Sequence, residues 1–329
     1  MKPDYDAKLR ELGIELYVVG EPRTGYTKAV QTGNLVYLAG HGPFEDNVQR
    51  YKGKVGVDLT PQEGREAARF TTIGCLSTLS KHLGGSLNRV KRIVRVTSYV
   101  NAAPNCDEYF WATDGCSDLL KELFGPAGHH ARMSIGCSVI PRQVPVAIDM
   151  IVEVEPDPNE QKKTVTEMPD YDARLKELGV ELYPVKTPRT GYTPAVQTGN
   201  LVYLSGHGPF RDDGPDKPRF QAYTGKVGVD MTPQEAQACS RFSCIGILST
   251  LRDHLGGSLN RVRRIVRVTS YVNAAPDCDL YFFSSDGASD LLKQIFGEAG
   301  HHARMSIGTS VNPTQVPVAL DMIVEVAPE

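Results

Sequence analysis

The chain repeats itself, and that repeat limits what it can fold into more than any other feature. "PDYDA" at 3–7 returns at 169–173, "AVQTGNLVYL" at 29–38 returns at 195–204, and "RIVRVTSYVNAAP" at 92–104 returns at 264–276. "GHHARMSIG" at 128–136 returns unchanged at 300–308. The offset is 166 residues up to Phe44 and 172 beyond the loop after it, where "EDNVQR" becomes "RDDGPDKPRFQA". That polar, proline-containing insertion reads as a surface loop that has grown. Two long copies describe a duplicated domain and not a solenoid. "EPDPNEQKKTVTE" at 155–167 is charged, contains proline and lacks apolar periodicity, as a linker does. The expected division is one domain over 1–156, a linker over 157–168 and a second domain over 169–329.

Each copy mixes helix and strand signals. "YDAKLRELGIEL" begins as a short amphipathic helix, with a strand as one continuation. "LVYLAG" at 35–40 reads as a strand ending at Gly40. "TPQEGREAARFTTIGCLSTLSKHLGG" opens with Thr60 as cap, Pro61 in the first turn and Glu63 three residues after the cap. Its apolar residues Ala67, Phe70, Ile73, Leu76 and Leu79 recur at helical spacing, and Gly84 and Gly85 stop it. "RIVRVTSYV" is a strand rich in β-branched residues, and "CDEYFWATDGCSDLLKELFG" is a second helix with a break expected near Gly115. "HHARMSIG" and "VPVAIDMIVEVE" are two more strands. The expected class is α+β, with two main helices on one face of a sheet.

Composition closes off several functions. The formal net charge is −3, which argues against a dedicated nucleic-acid binder, because phosphate recognition needs a concentrated basic surface. "NRVKRIVRV" reads as an outward basic row on a strand. No apolar run reaches the roughly 18–20 residues of a membrane span, and the polar N-terminus does not read as a secretion signal. The expected compartment is the cytoplasm. The seven cysteines lack CxxC spacing, so they read as reduced, mostly buried thiols and not as a disulfide or zinc framework. No cofactor motif is present: "KHLGGSLNRV" lacks the Gly-Lys-Ser/Thr ending of a phosphate loop.

The repeated arginine carries the functional question. On a strand, His130, Arg132 and Ser134 share one face, and His129, Ala131, Met133 and Ile135 share the other. The Met/Ile face suits the helix-packed core, which leaves the arginine face pointing away from it. Arginine keeps its proton and presents a rigid fork of donors suited to a carboxylate. In a cleft it demands an anion, either an internal Asp or Glu or a bound ligand.

Here the chain resembles the RidA/YjgF family. "GYTKAVQTGNLVYLAGHGP" (25–43), "GCSDLLKELFG" (115–125), "HARMSIG" (130–136) and "IPRQVPVAIDMIVEV" (140–154) are similar to the family's successive motifs, and the second copy matches in the same order. The resemblance implies a chorismate mutase-like fold, a mixed β-sheet with two helices packed on one face. It implies three domains closing a barrel, with small imino or keto acids held in clefts between neighbouring domains. On that resemblance Arg132 and Arg304 anchor the carboxylate. Tyr26, Gly40 and Ser134, with Tyr192, Gly206 and Ser306, line the binding site. A chain that supplies two domains fits a homotrimer building two such barrels.

The chain also departs from the family. Relatives hydrolyse 2-imino acids to 2-keto acids and ammonia, and a glutamate on the last long strand helps place the attacking water. Ala147 and Ala319 stand there in this chain. Alanine places no water, and general acid–base help is worth about 10²–10⁴ in rate. Asp149 and Asp321, two residues on, are candidate substitutes or partners of an arginine. His130 and His302 share a strand face with the arginines and are candidate donors or proton carriers. His41 and His207, in "GHGP", are candidate ligand contacts. His82 and His254 end helices, where a cation meets the dipole favourably. The doubled histidines at 129–130 and 301–302 point to opposite faces and make a poor chelate, so no metal is expected. Ser117 and Ser289 lack a Gly-x-Ser-x-Gly elbow and read as helix-start or cleft residues. Three functions compete: hydrolysis of 2-imino acids, small-acid binding without turnover, and the ribonuclease activity reported for some relatives.

Overall fold

Thr60 caps the longest helix in the way its sequence dictates. Its hydroxyl accepts from the Glu63 N–H at 3.2 Å, and the Glu63 carboxylate accepts from the Thr60 N–H at 2.8 Å. A computed structural model describes residues 3–22, 25–156, 169–184, 191–211 and 220–328. The expected linker at 157–168 lies outside the described residues, as does most of the enlarged loop, 212–219. The chain divides into two units. One takes in Met1–Pro22 and Lys28–Glu160, the other Arg23–Thr27 and Gln161–Glu329.

The first unit runs α1 (Tyr5–Glu11), β1 (Ala29–Thr32), β2 (Leu35–His41), β3 (Phe44–Glu45), β4 (Val48–Gln49), α2 (Pro61–His82), β5 (Val90–Asn101), α3 (Asp114–Phe124), β6 (Ala131–Cys137) and β7 (Val146–Val154). Its sheet has the order β1-β2-β7-β5-β6. The β5–β6 pair is parallel and the other neighbours are antiparallel, so the sheet is mixed. β1 and β2 form a hairpin turned at Gly33, whose φ of 55° suits glycine. The strand expected after α1 does not form; a turn at Gly13 follows the helix. The break expected near Gly115 falls earlier, where a 3₁₀ segment, Asp107–Thr113, passes directly into α3.

The second unit repeats this plan with α4 (Tyr171–Glu177), β8 (Ala195–Thr198), β9 (Leu201–His207), β10 (Phe210–Arg211), β11 (Phe220–Gln221), α5 (Ala236–His254), β12 (Val262–Asn273), α6 (Asp286–Phe296), β13 (Ala303–Thr309) and β14 (Val318–Val326). Its sheet has the equivalent order β13-β12-β14-β9-β8, again with one parallel pair, β12–β13.

In the first unit the core fills the space between the sheet and α2 and α3. Leu76, Leu79, Leu119 and Leu120 meet Val96, Ile148, Met150 and Val152, all buried. Phe70 and Ile73, expected on the core stripe of α2, are only half-buried. Phe70 stacks on Tyr17 at 5.2 Å, while Ala68, Thr71 and Cys75 take the innermost places. The free thiols of Cys116 and Cys244 are pushed up to about 12 by burial, which keeps them protonated and inert.

Each architecture is α+β, a mixed sheet with helices on one face, as the alternation of strand and helix signals predicts. One expectation is overturned. Arg132 pairs in register with Val96, which belongs to the helix-packed core, and Met133 pairs with Thr97 on the other face. The arginine therefore stands on the helix side of β6, and Met133 points away, 51% exposed. The reason is position. β6 is the last strand of its sheet, so the helix layer meets it only with the 3₁₀ segment Asp107–Thr113 and the start of α3. A guanidinium fits there, beside an acidic helix start.

Candidate functional site

Four side chains converge between β6 and the first turn of α3. Asp114 and Ser117 are three residues apart on the helix and so share a face. His130 and Arg132 are two apart at the start of β6 and share one too. The Arg132 Nη1 donates to Asp114 Oδ1 at 2.6 Å and to Ser117 Oγ at 3.3 Å. Ser117 Oγ lies 3.1 Å from His130 Nε2, and His130 Nδ1 lies 2.7 Å from the Gly128 carbonyl. A carbonyl only accepts, so the neutral ring carries its proton on Nδ1 and turns the Nε2 lone pair to the serine. Beside them Ser134 donates to Thr113 at 2.9 Å.

The second unit repeats the cluster. Arg304 Nη1 donates to Asp286 Oδ1 at 2.8 Å and to Ser289 Oγ at 3.0 Å. Ser289 Oγ lies 3.1 Å from His302 Nε2, and His302 Nδ1 lies 2.8 Å from the Gly300 carbonyl. Ser306 donates to Ser285, which donates to Ser270. Burial pushes His302 down to about 3, against the opposing pull of the Gly300 carbonyl and with a smaller push from the Arg304 charge. His130 is lowered for the same leading reason.

The two clusters differ in cover. The Arg304 side chain is 5% exposed and its Asp286 partner 8%, whereas Arg132 is 31% exposed and Asp114 38%. Residues 25–27 belong to the second unit and supply this cover. The Tyr26 ring lies 4.3 Å from the Arg304 guanidinium carbon, a cation–π contact. The Thr27 N–H donates to the His302 carbonyl at 2.8 Å, and Thr27 bridges Ala303 on the outer edge of β13. The same tripeptide, Gly-Tyr-Thr, recurs at 191–193, where Tyr192 is 58% exposed.

Other candidate residues stand elsewhere. His41 joins β2 to α2 through the Ala39 carbonyl and Thr78, both at 2.7 Å. His207 repeats those bonds with Ser205 and Thr250. Both histidines fasten a strand to a helix. Gly40 and Gly206 sit where β2 and β9 slip register against β7 and β14. Asp149 pairs with Thr97 and so lies on the sheet face opposite Arg132, where it accepts from the Tyr99 hydroxyl at 3.1 Å. Asp321 accepts from Tyr271 at 2.8 Å. Ala147 is buried opposite Tyr99. Among the described residues no three His, Cys, Asp or Glu side chains cluster as metal ligands, and no helix is long and apolar enough to cross a membrane.

Sequence reasoning left two alternatives for the arginine's anion, and an internal carboxylate is present: Asp114 in one copy, Asp286 in the other. It also missed the base beside Ser117 and Ser289. The signal was available, since Asp-Gly-x-Ser on a helix start and His-x-Arg on a strand occur in both copies. Their meeting depends on how the helix start is set against the strand.

A family model described as "YjgF/chorismate_mutase-like, putative endoribonuclease" matches residues 6–154 and again 172–326. "Protein TCP17" of Trypanosoma cruzi is 35% identical over 149 residues, which is 45% of this chain and 92% of that protein. A crystal structure titled "putative endoribonuclease" from Shewanella oneidensis is 31% identical with a TM-score of 0.44, covering 46% of this chain and all of that one. The protein Atu1372 of Agrobacterium tumefaciens, titled as of unknown function, is 29% identical with a TM-score of 0.43, over 46% of this chain and 92% of its own.

Proposed function

The chain belongs to the YjgF/chorismate mutase-like family, and on that premise we propose that it binds small carboxylic acids at Arg132 without hydrolysing them. The observation that carries this is the uneven use of the guanidinium. Nη1 is committed to Asp114 and Ser117, while Nε and Nη2 make no hydrogen bond among the described residues. That free edge is a two-pronged donor for a 2-keto or 2-imino acid. Asp114 holds the fork in place and balances its charge. The ligand therefore meets a fixed pair of donors and not a bare cation. Two charge-assisted hydrogen bonds at about 1.5–3 kcal/mol each correspond to dissociation constants on the order of millimolar or somewhat tighter.

Turnover is the part of the family chemistry that the residues do not support. Ala147 and Ala319 offer no group to place water, and Asp149, on the same sheet face as Ala147, is engaged by the Tyr99 hydroxyl. The test is calorimetry with 2-oxobutanoate beside an ammonia assay on freshly generated 2-imino acids. Binding lost in Arg132→Ala with no ammonia from wild type is the expected result. Ammonia release lost in the same variant makes the chain a deaminase instead. RNA cleavage lost in that variant makes it the endoribonuclease that the relatives' descriptions suggest.

The proposal extends to assembly as a homotrimer of three-domain barrels. The β6 edge carries exposed Ala131, Arg132 and Met133. A second copy's residues 191–193 match the segment that covers β13. Tyr192 of one chain then roofs Arg132 of another. Sedimentation equilibrium is expected to give three times the 36.0 kDa chain mass, weakened by Tyr192→Ala. A monomer at micromolar concentration would refute the assembly.

A further inference from the structure

Acid binding uses the arginine and leaves the serine beside it unexplained. Ser117 Oγ donates toward an imidazole lone pair at 3.1 Å while the Arg132 Nη1 stands 3.3 Å away on another side. The imidazole cannot turn, because Nδ1 is held by the Gly128 carbonyl at 2.7 Å. This is the relation a serine nucleophile needs: a base in the correct tautomer, an orienting group behind it, and a cation where negative charge develops.

We propose that Ser117 is an activated nucleophile, with His130 as its base, for small activated acyl esters. Oγ attacks the acyl carbon and passes its proton to His130 Nε2. The developing oxyanion lies against Arg132. The bond from the acyl carbon to the alcohol oxygen breaks, and that oxygen leaves with the proton from Nε2. Water then attacks the acyl-serine, giving one proton to Nε2. The Oγ–carbon bond breaks, Nε2 returns the proton to Oγ, and an acid is released. The balance is ester plus water giving acid plus alcohol.

The chain contains its own control. Ser289 and His302 repeat the distance at 3.1 Å, but Ser289 is fully buried, and a Cβ added to Gly25 would lie 2.9 Å from its carbonyl oxygen. Ser117 and His130 are half-buried. The same pair is thus open in one copy and closed in the other.

The test is labelling of the full chain with an alkyl fluorophosphonate, which forms an Oγ–phosphorus bond and releases fluoride, followed by peptide mapping. One adduct on Ser117 and none on Ser289 is expected, absent in Ser117→Ala. His130→Gln is expected to slow labelling about 10²-fold or more. A burst of one nitrophenolate per chain from p-nitrophenyl acetate, lost in Ser117→Ala, is the second readout. No adduct on Ser117, or labelling that Ser289 shares equally, overturns the proposal. So does an unchanged rate in a folded His130→Gln. Should that variant not fold, Ser117→Ala and the silent Ser289 still decide. Failure here leaves carboxylate binding at Arg132 untouched, because calorimetry reads that separately.

Discussion

Removing one carboxylate separates the two arginines. Asp286→Asn leaves the Arg304 charge buried beneath Tyr26 without its partner, and breaking a buried pair costs about 3–5 kcal/mol. Asp114→Asn disrupts a pair more than a third exposed on one side, where the cost is about 1 kcal/mol or less. It also unfixes the Arg132 fork, so 2-oxobutanoate is expected to bind several-fold more weakly. Urea unfolding of the two variants checks the first contrast and calorimetry the second. His41 and His302 set a pH limit. Burial holds both in the neutral form, with their titration pushed down to about 3. In the unfolded chain they take up a proton near pH 6.5, so between about 6.5 and 3 the unfolded state binds more protons. Stability is complete above that window and falls as pH drops through it, by about 1.4 kcal/mol per histidine at pH 5.5. Unfolding free energies at pH 7.5 and 5.5 check this, and a folded His41→Gln is expected to remove one histidine's share of the drop.

At the scale of elements, the site depends on how closely α3 approaches α2. A Cβ on Gly115 would lie 2.0 Å from the Arg65 carbonyl oxygen, and one on Gly287 lies as close to that of Gln237. Backbone meets backbone there, so Gly115→Ala forces the helices apart and shifts Asp114 and Ser117 from Arg132. A loss of about 2–3 kcal/mol is expected by chemical denaturation, with weakened carboxylate binding. Thr60→Ala removes one half of the capping box at the start of α2 and is expected to cost about 1 kcal/mol. The cap and the strand of β-branched residues at 92–100 were legible, because each rests on residues close in sequence. The side of β6 that meets the helices was not. Alternation divides a strand into two faces and says nothing of which face a layer covers, and at the last strand of a sheet an apolar face can stay exposed, as Met133 does.

At the scale of the whole molecule, two identical motifs have unequal surroundings. Arg132 is open and Arg304 lies under Tyr26, so calorimetry is expected to count one carboxylate per chain. Tyr26→Ala is expected to uncover a second, weaker site. The duplication and the α+β class were decided by sequence alone, because identical local patterns dictate identical local structure. Which carboxylate the arginine meets, that a histidine backs the serine, and that one copy is closed were decided only by the tertiary structure. Each depends on side chains from separate elements brought within about 3 Å, a distance that no spacing along the chain specifies.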